Sequence, residues 1–242
     1  MTKKVFFSFC LLLTVSGATA VLNSCSKDVA NRKEKSAANT TDPGIVINGV
    51  KWATRNVAVP GTFVAKPDDV GRFYQWNRKI PWSATGDVIG WNGSEDTGDT
   101  WEKSNDPSPA GWRVPTLDEI GTLLDTEKVA SEWVPVNGVN GRRFTDKATW
   151  NSMFLPAAGC RDYDGGRLCS LGAEGYYWSS SQYDSFNAYY FYFNSGYGNG
   201  ILYWRWSWHS VSIRPTTPSP PLSSIVPAAT STAYSSCTRV SG

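Results

Sequence analysis

Short runs of β-branched and aromatic residues alternate along the chain with clusters of Gly, Pro, Asn and Asp, a texture that predicts many brief strands joined by tight turns. The runs fall at 45–52, 71–76, 142–146, 153–156, 176–181, 188–194 and 211–214. Asn48-Gly49-Val50 and Asn137-Gly138-Val139 each carry the Asn-Gly pair that supplies the positive φ of a two-residue hairpin turn. One segment has a helical start. Thr116 stands as N-cap with Glu119 as its capping-box partner, and Ile120, Leu123 and Leu124 then share a face, so the pattern predicts a helix to about Lys128 packed on a sheet. From 216 to 242 the composition turns to Ser, Thr, Pro and Ala without periodicity, which reads as a disordered tail.

The N-terminal segment reads as an address. Lys3 and Lys4 precede an apolar stretch from Val5 to Leu13 and then small residues to Ala20, the order of a secretory signal peptide and too short a run to span a bilayer. Leu22-Asn23-Ser24-Cys25 resembles a bacterial lipobox, which implies lipidation of the Cys25 thiol, and Ser26-Lys27-Asp28 resembles the signal that sends Bacteroidetes lipoproteins to the outer face of the outer membrane. The alternative is an ordinary secreted chain cut near Ala20, with Cys25 a plain thiol. The lipoprotein expectation divides the chain into a signal peptide (1–24), a lipidated flexible tether (25–44), one domain (45–215) and the tail (216–242). It places the protein in the outer membrane, anchored through Cys25 and facing the exterior.

Charge removes one class of partner. The chain has 23 Lys and Arg against 21 Asp and Glu, and two of the bases, Lys3 and Lys4, leave with the leader. A neutral mature chain lacks the clustered cations that displace counterions from nucleic acid, so no nucleic-acid partner is expected. Aromatic residues are the opposite case: 15 of the chain's 33 lie between Tyr176 and Trp208, where Asp184 and Arg205 are the only charges. Tyr and Trp give rigid contact area while Ser, Gly and Asn give adaptable hydrogen bonds, the composition of antibody paratopes. Tyr176-Tyr177-Trp178 and 189–193 read as core strands. The candidate ligand-contacting residues are Gln182, Tyr183, Asp184, Ser185 and Phe186 in one loop, then Asn194, Tyr197, Asn199, Leu202, Tyr203, Trp204, Trp206, Trp208 and His209 in the next. Period-two spacing puts Trp204, Trp206 and Trp208 on one face, either core or platform.

Catalytic and metal chemistry have little to work with. His209 is the single histidine, which excludes a three-His metal site, and no G-x-S-x-G, P-loop or H-E-x-x-H pattern occurs. Glu95, Asp96, Asp99, Asp162 and Asp164 read as turn residues; Asp162-Tyr163-Asp164-Gly165 opens like a calcium loop but lacks its later ligands. No metal, cofactor or enzymatic activity is expected. Cys160 and Cys169 flank Gly165-Gly166 and either bridge that turn or stand as two unrelated thiols.

Five segments, taken in order, resemble the motifs of the Fibrobacter major paralogous domain (FISUMP) family: 47–57 (Ile-Asn-Gly-Val-Lys-Trp-Ala-Thr-Arg-Asn-Val), 106–116 (Asp-Pro-Ser-Pro-Ala-Gly-Trp-Arg-Val-Pro-Thr), Phe154-Leu155-Pro156-Ala157-Ala158-Gly159, Gly175-Tyr176-Tyr177-Trp178-Ser179-Ser180, and Ser212-Ile213-Arg214-Pro215. Ser108 stands where that family commonly has Cys. The resemblance implies an α+β, C-type lectin-like fold of mostly short antiparallel strands with one or two helices. It also implies similarity to the variable proteins of diversity-generating retroelements, whose ligand-facing codons are rewritten at adenines. Template Asn codons altered in that way give Tyr, Ser, Asp, His, Phe, Ile, Leu, Gly or Cys, but neither Trp nor Gln. The expected function is a cell-surface lipoprotein binding an external protein or glycan. A structural or tip subunit of a surface assembly is the alternative, and an enzyme of the formylglycine-generating type is a distant third.

Overall fold

The computed structural model of the protein describes residues 39–93, 100–196, 201–206 and 209–218, with 201–206 as backbone only. Cys25, Tyr197, Asn199 and Trp208 therefore lie outside the described residues. In chain order the strands are β1 (Ile45–Ile47), β2 (Val50–Trp52), β3 (Tyr74–Gln75), β4 (Val129–Val136), β5 (Val139–Asp146), β6 (Ser152–Pro156), β7 (Cys160–Arg161), β8 (Leu168–Cys169), β9 (Glu174–Gln182), β10 (Asn187–Asn194), β11 (Ile201–Trp206) and β12 (Ser210–Val211). They pair as a β1-β2 hairpin and as sheets ordered β4-β5-β6, β11-β10-β9 and β3-β12-β7-β8. Both Asn-Gly turns form as their chemistry requires: Asn48 and Gly49 take φ of 45° and 80°, Asn137 and Gly138 of 51° and 83°. The pairs Ile47↔Val50 and Val136↔Val139 close these two hairpins.

The helix is where expectation fails. Helix α1 (Leu117–Gly121) begins at Thr116 with both halves of the capping box in place, passes through a 3-10 turn (Thr122–Leu124) and ends at Asp125 in extended backbone. The Asp125 carbonyl accepts from the amides of Lys128 and Val129, turning the chain into β4. Val129, 3% exposed, is needed in the core as the first residue of a strand, and this tertiary demand overrides the helix predicted to Lys128. Strand makes up 38% of the structure and helix 7%. The fold is thus predominantly β, built of small antiparallel sheets, and the α+β class expected from the lectin-like resemblance is corrected accordingly.

Aromatic residues fill the interior. Trp178, Phe191 and Phe193 are buried, and Phe193 stacks on Tyr177 at a centroid distance of 6.0 Å with planes 14° apart. Gly175 faces Phe193 across the β9–β10 ladder, and a Cβ there would lie 2.1 Å from the Phe193 ring, so the missing side chain is what lets the ring lie down. Cys160 and Cys169 sit opposite one another on β7 and β8 with Cα atoms 5.2 Å apart and are disulfide-bonded, which decides between the two alternatives the spacing left open.

The interior also holds complete guanidinium groups. Arg161, fully buried, donates to the carbonyls of Ser83, Gly86 and Gly166, tying an irregular loop to the β7–β8 hairpin. Arg214 donates to Asn56 Oδ1 (2.9 Å) and to the carbonyls of Ala53 (3.3 Å) and Phe154 (3.0 Å). The Tyr177 hydroxyl donates to the Pro156 carbonyl and accepts from the Asn56 side-chain amide. Burial pushes the Arg214 guanidinium down to about 10 and the Tyr177 phenol up to about 12, while each carries the hydrogen bonds that make its burial tolerable. Four of the five motif segments named above thus meet at one polar hub. The remaining one joins through Thr216, which exchanges backbone hydrogen bonds with Arg113 and donates its hydroxyl to Glu119. Asp42, on the N-terminal side of β1, accepts from Gly44, Thr54 and Arg55, so the ordered unit starts before Ile45.

Candidate functional site

The β9–β10 hairpin ends in a loop whose shape is set by one carboxylate. Asp184 accepts from the Phe186 amide (2.9 Å), the Asn187 amide (2.8 Å) and the Asn187 side-chain amide (2.8 and 2.9 Å). The hydrogen bond from the Asn187 side chain, then that from the Phe186 amide, hold the Asp184 carboxyl below its ordinary 3.8. The Tyr183 amide closes the loop on the Asn187 carbonyl at 2.9 Å. With the Asp184 carboxylate satisfied inside the loop, the hairpin presents two rings to solvent: Tyr183 is 50% exposed and Phe186 54%. Tyr183 is braced from behind, edge-on to Tyr189 at 5.3 Å.

The other candidates are distributed unevenly. Gln182 is half-buried and pairs with Ala188, and Ser185 is exposed in the loop. Asn194 lies at the far end of β10. Its side-chain amide donates to the Tyr192 hydroxyl and its oxygen accepts from the Gly196 amide, so it shapes the next turn. Beside it the Glu174 carboxylate accepts from the hydroxyls of Tyr176 and Tyr192, both at 2.6 Å. Burial, reinforced by that bond to Glu174, pushes the Tyr192 phenol up to about 12. Leu202, Tyr203, Trp204 and Trp206 lie on β11, in register with Phe191, Tyr190, Tyr189 and Asn187. His209 belongs elsewhere: it is 8% exposed, with Nε2 3.5 Å from Asp162 Oδ1 and its ring 5.4 Å from Tyr163, so it packs on the β7–β8 hairpin. The structure therefore gathers Gln182 to Phe186 at one tip and separates His209 from them. Among the described residues no group of three or more His, Cys, Asp or Glu side chains could hold a metal ion.

A concavity that no sequence pattern indicated lies beside this hairpin. It has a volume of about 530 Å³ and is walled by Trp101 and Trp112, with Ser180 of β9 at its edge. Trp101 stands edge-on to buried Trp76 at 5.6 Å, and Trp112 edge-on to Phe63 at 5.7 Å. In sequence these two Trp are isolated in polar, turn-rich stretches. Only the packing of residues 101–116 against β9 brings them onto one cleft.

The comparisons with known proteins are sparse. Residues 130–215 match the model of a family described as a domain of unknown function, DUF8237. Neither a curated protein nor a solved structure matches the chain.

Proposed function

We propose that the protein is a ligand-binding surface lipoprotein, in which a β-rich domain presents the rings of the β9–β10 hairpin to an external protein or glycan. The observation that carries this is the pairing of exposure with rigidity: Tyr183 and Phe186 are each at least half exposed on a loop held by four hydrogen bonds to Asp184. A preordered aromatic tip loses little conformational entropy on binding, and aromatic anchors dominate the energetics of recognition surfaces. Lipidation at Cys25 would hold the domain at the outer membrane. The order of FISUMP-like motifs and the Asn- and Tyr-rich composition of the loops support a site open to diversification between cells.

Binding is tested with the full-length chain in detergent on a glycan array and against immobilised whole bacterial cells, beside a Tyr183→Ala/Phe186→Ala variant. Capture by the wild type that the variant loses, with unchanged thermal unfolding, is the expected result; equal capture by both chains overturns the role of the tip. The anchor is tested by palmitate labelling, which Cys25→Ser should abolish. Diversification predicts that codons for 183–186 and 194–209, apart from those of Trp204, Trp206 and Trp208, vary among isolates while those for 154–159 and 176–180 stay constant.

A further inference from the structure

The cleft walled by Trp101 and Trp112 has the chemistry of a second, separate binding site. Trp101 Nε1 and Ser108 Oγ are buried without a hydrogen-bond partner among the described residues, and both residues line the cleft. Both atoms are closed to solvent beneath the lining, so what these residues present to the cleft is chiefly the indole surface of Trp101.

The charges point the same way. Lys79 and Lys103 lie exposed on the lining, and no ion pair to either is found among the described residues. The other charged groups of the lining are already engaged. Arg113 holds Glu119 through two bonds of 2.8 and 2.6 Å, and Asp106 accepts from the amides of Ser108 and Val114 at 2.8 and 3.0 Å. What the cleft offers a ligand is therefore two indoles and two ammonium groups.

We infer that this cleft binds an acidic saccharide, a short uronic-acid oligosaccharide, with the sugar faces against the indoles and a carboxylate between Lys79 and Lys103. A pyranose has an apolar C–H face that suits an indole and a rim of oxygens that accept hydrogen bonds, whereas an acidic peptide has charge without the flat face. The volume of about 530 Å³ lies in the range of sites that enclose a small ligand. This site does not depend on the β9–β10 tip, and the two are tested apart.

The experiment is calorimetric titration of the full-length chain in detergent with trigalacturonate, its methyl ester and triglutamate, with tryptophan fluorescence as a parallel readout. Trigalacturonate should bind and perturb the fluorescence, with the neutral methyl ester and triglutamate each about tenfold weaker or worse, the equivalent of about 1.4 kcal/mol. Lys79→Gln/Lys103→Gln, two exposed positions whose change leaves the fold intact, should weaken trigalacturonate to the level of its ester. Trp101→Phe should reduce the fluorescence change, leaving the part reported by Trp112, and Tyr183→Ala/Phe186→Ala should leave the titration as it was. Absence of binding at millimolar trigalacturonate, equal binding of the ester, or tighter binding of triglutamate overturns the proposal. Loss of binding in the Tyr183/Phe186 variant moves the site to the hairpin tip and overturns it equally.

Discussion

The Arg214 hub, which draws Tyr177 from β9, and the β9–β10 tip use polar groups in opposite ways. At the hub, a guanidinium, a phenol and an amide are buried and spend their hydrogen bonds on backbone carbonyls of distant segments: Ala53, Phe154, Pro156 and Val70. At the tip, Asp184 spends its bonds within three residues of itself, and the apolar rings face outward. Long-range polar satisfaction fixes which segments meet and leaves little freedom to change any member. Local satisfaction makes the loop a self-contained unit whose rings can be exchanged without disturbing the sheet.

That contrast can be broken most forcefully at Arg214. Arg214→Met should lower unfolding stability by about 3 kcal/mol or more, because Asn56 and two carbonyls lose their donors in a dry site; a urea-midpoint shift worth less than about 1 kcal/mol would show that the hub is dispensable. Next in size is reduction of the Cys160–Cys169 bond. Releasing its short loop should cost about 2–3 kcal/mol by loop-closure entropy, read as a lowered melting temperature in reductant that Cys160→Ser/Cys169→Ser reproduces. Gly175→Ala forces a methyl group into the Phe193 ring and should cost about 1–3 kcal/mol, partly relieved by Phe193→Leu in a double-mutant cycle.

The tip should respond far less. Tyr183→Ala and Phe186→Ala are each expected to change stability by about 0.5 kcal/mol or less, as is normal for exposed positions; a larger loss in chemical denaturation would mean that the rings belong to the core. Smallest is the acid response of Asp184. Its folded pKa is depressed, so its contribution to stability is present above the unfolded value and is lost as pH falls through the folded one. Carboxyl NMR titration should place the Asp184 midpoint below 3.8, and Asn187→Ala should move it upward.

Much of the local structure was legible in the residues themselves. The two Asn-Gly turns, the capping box at Thr116 and the strands around 153–156, 176–181 and 188–194 follow from φ preferences, side-chain capping and alternation, all effects with a range of a few residues. The same local logic put Tyr183 and Phe186 in a turn. It erred at 122–128, where the apolar positions fit a helix equally well until Val129 was claimed by β4.

What only the tertiary structure decided depends on contacts between segments far apart in the chain. Asn56 and Tyr177 meet across 121 positions and Arg214 reaches Asn56 across 158, and no spacing rule announces either pair. His209 left the expected loop for Asp162 and Tyr163 because β12 carries it alongside β7. Trp101 and Trp112 came to face one cleft because the segment that holds them is laid against β9, where the Ser180 amide binds the Pro115 carbonyl and the Leu117 amide binds Ser181 Oγ. The sequence by itself determined the turns, the cap and the aromatic strands, since these are settled by interactions between near neighbours. Which polar groups are buried together and which indoles share a cleft was settled by contacts between distant segments, and only the folded chain brings those partners together.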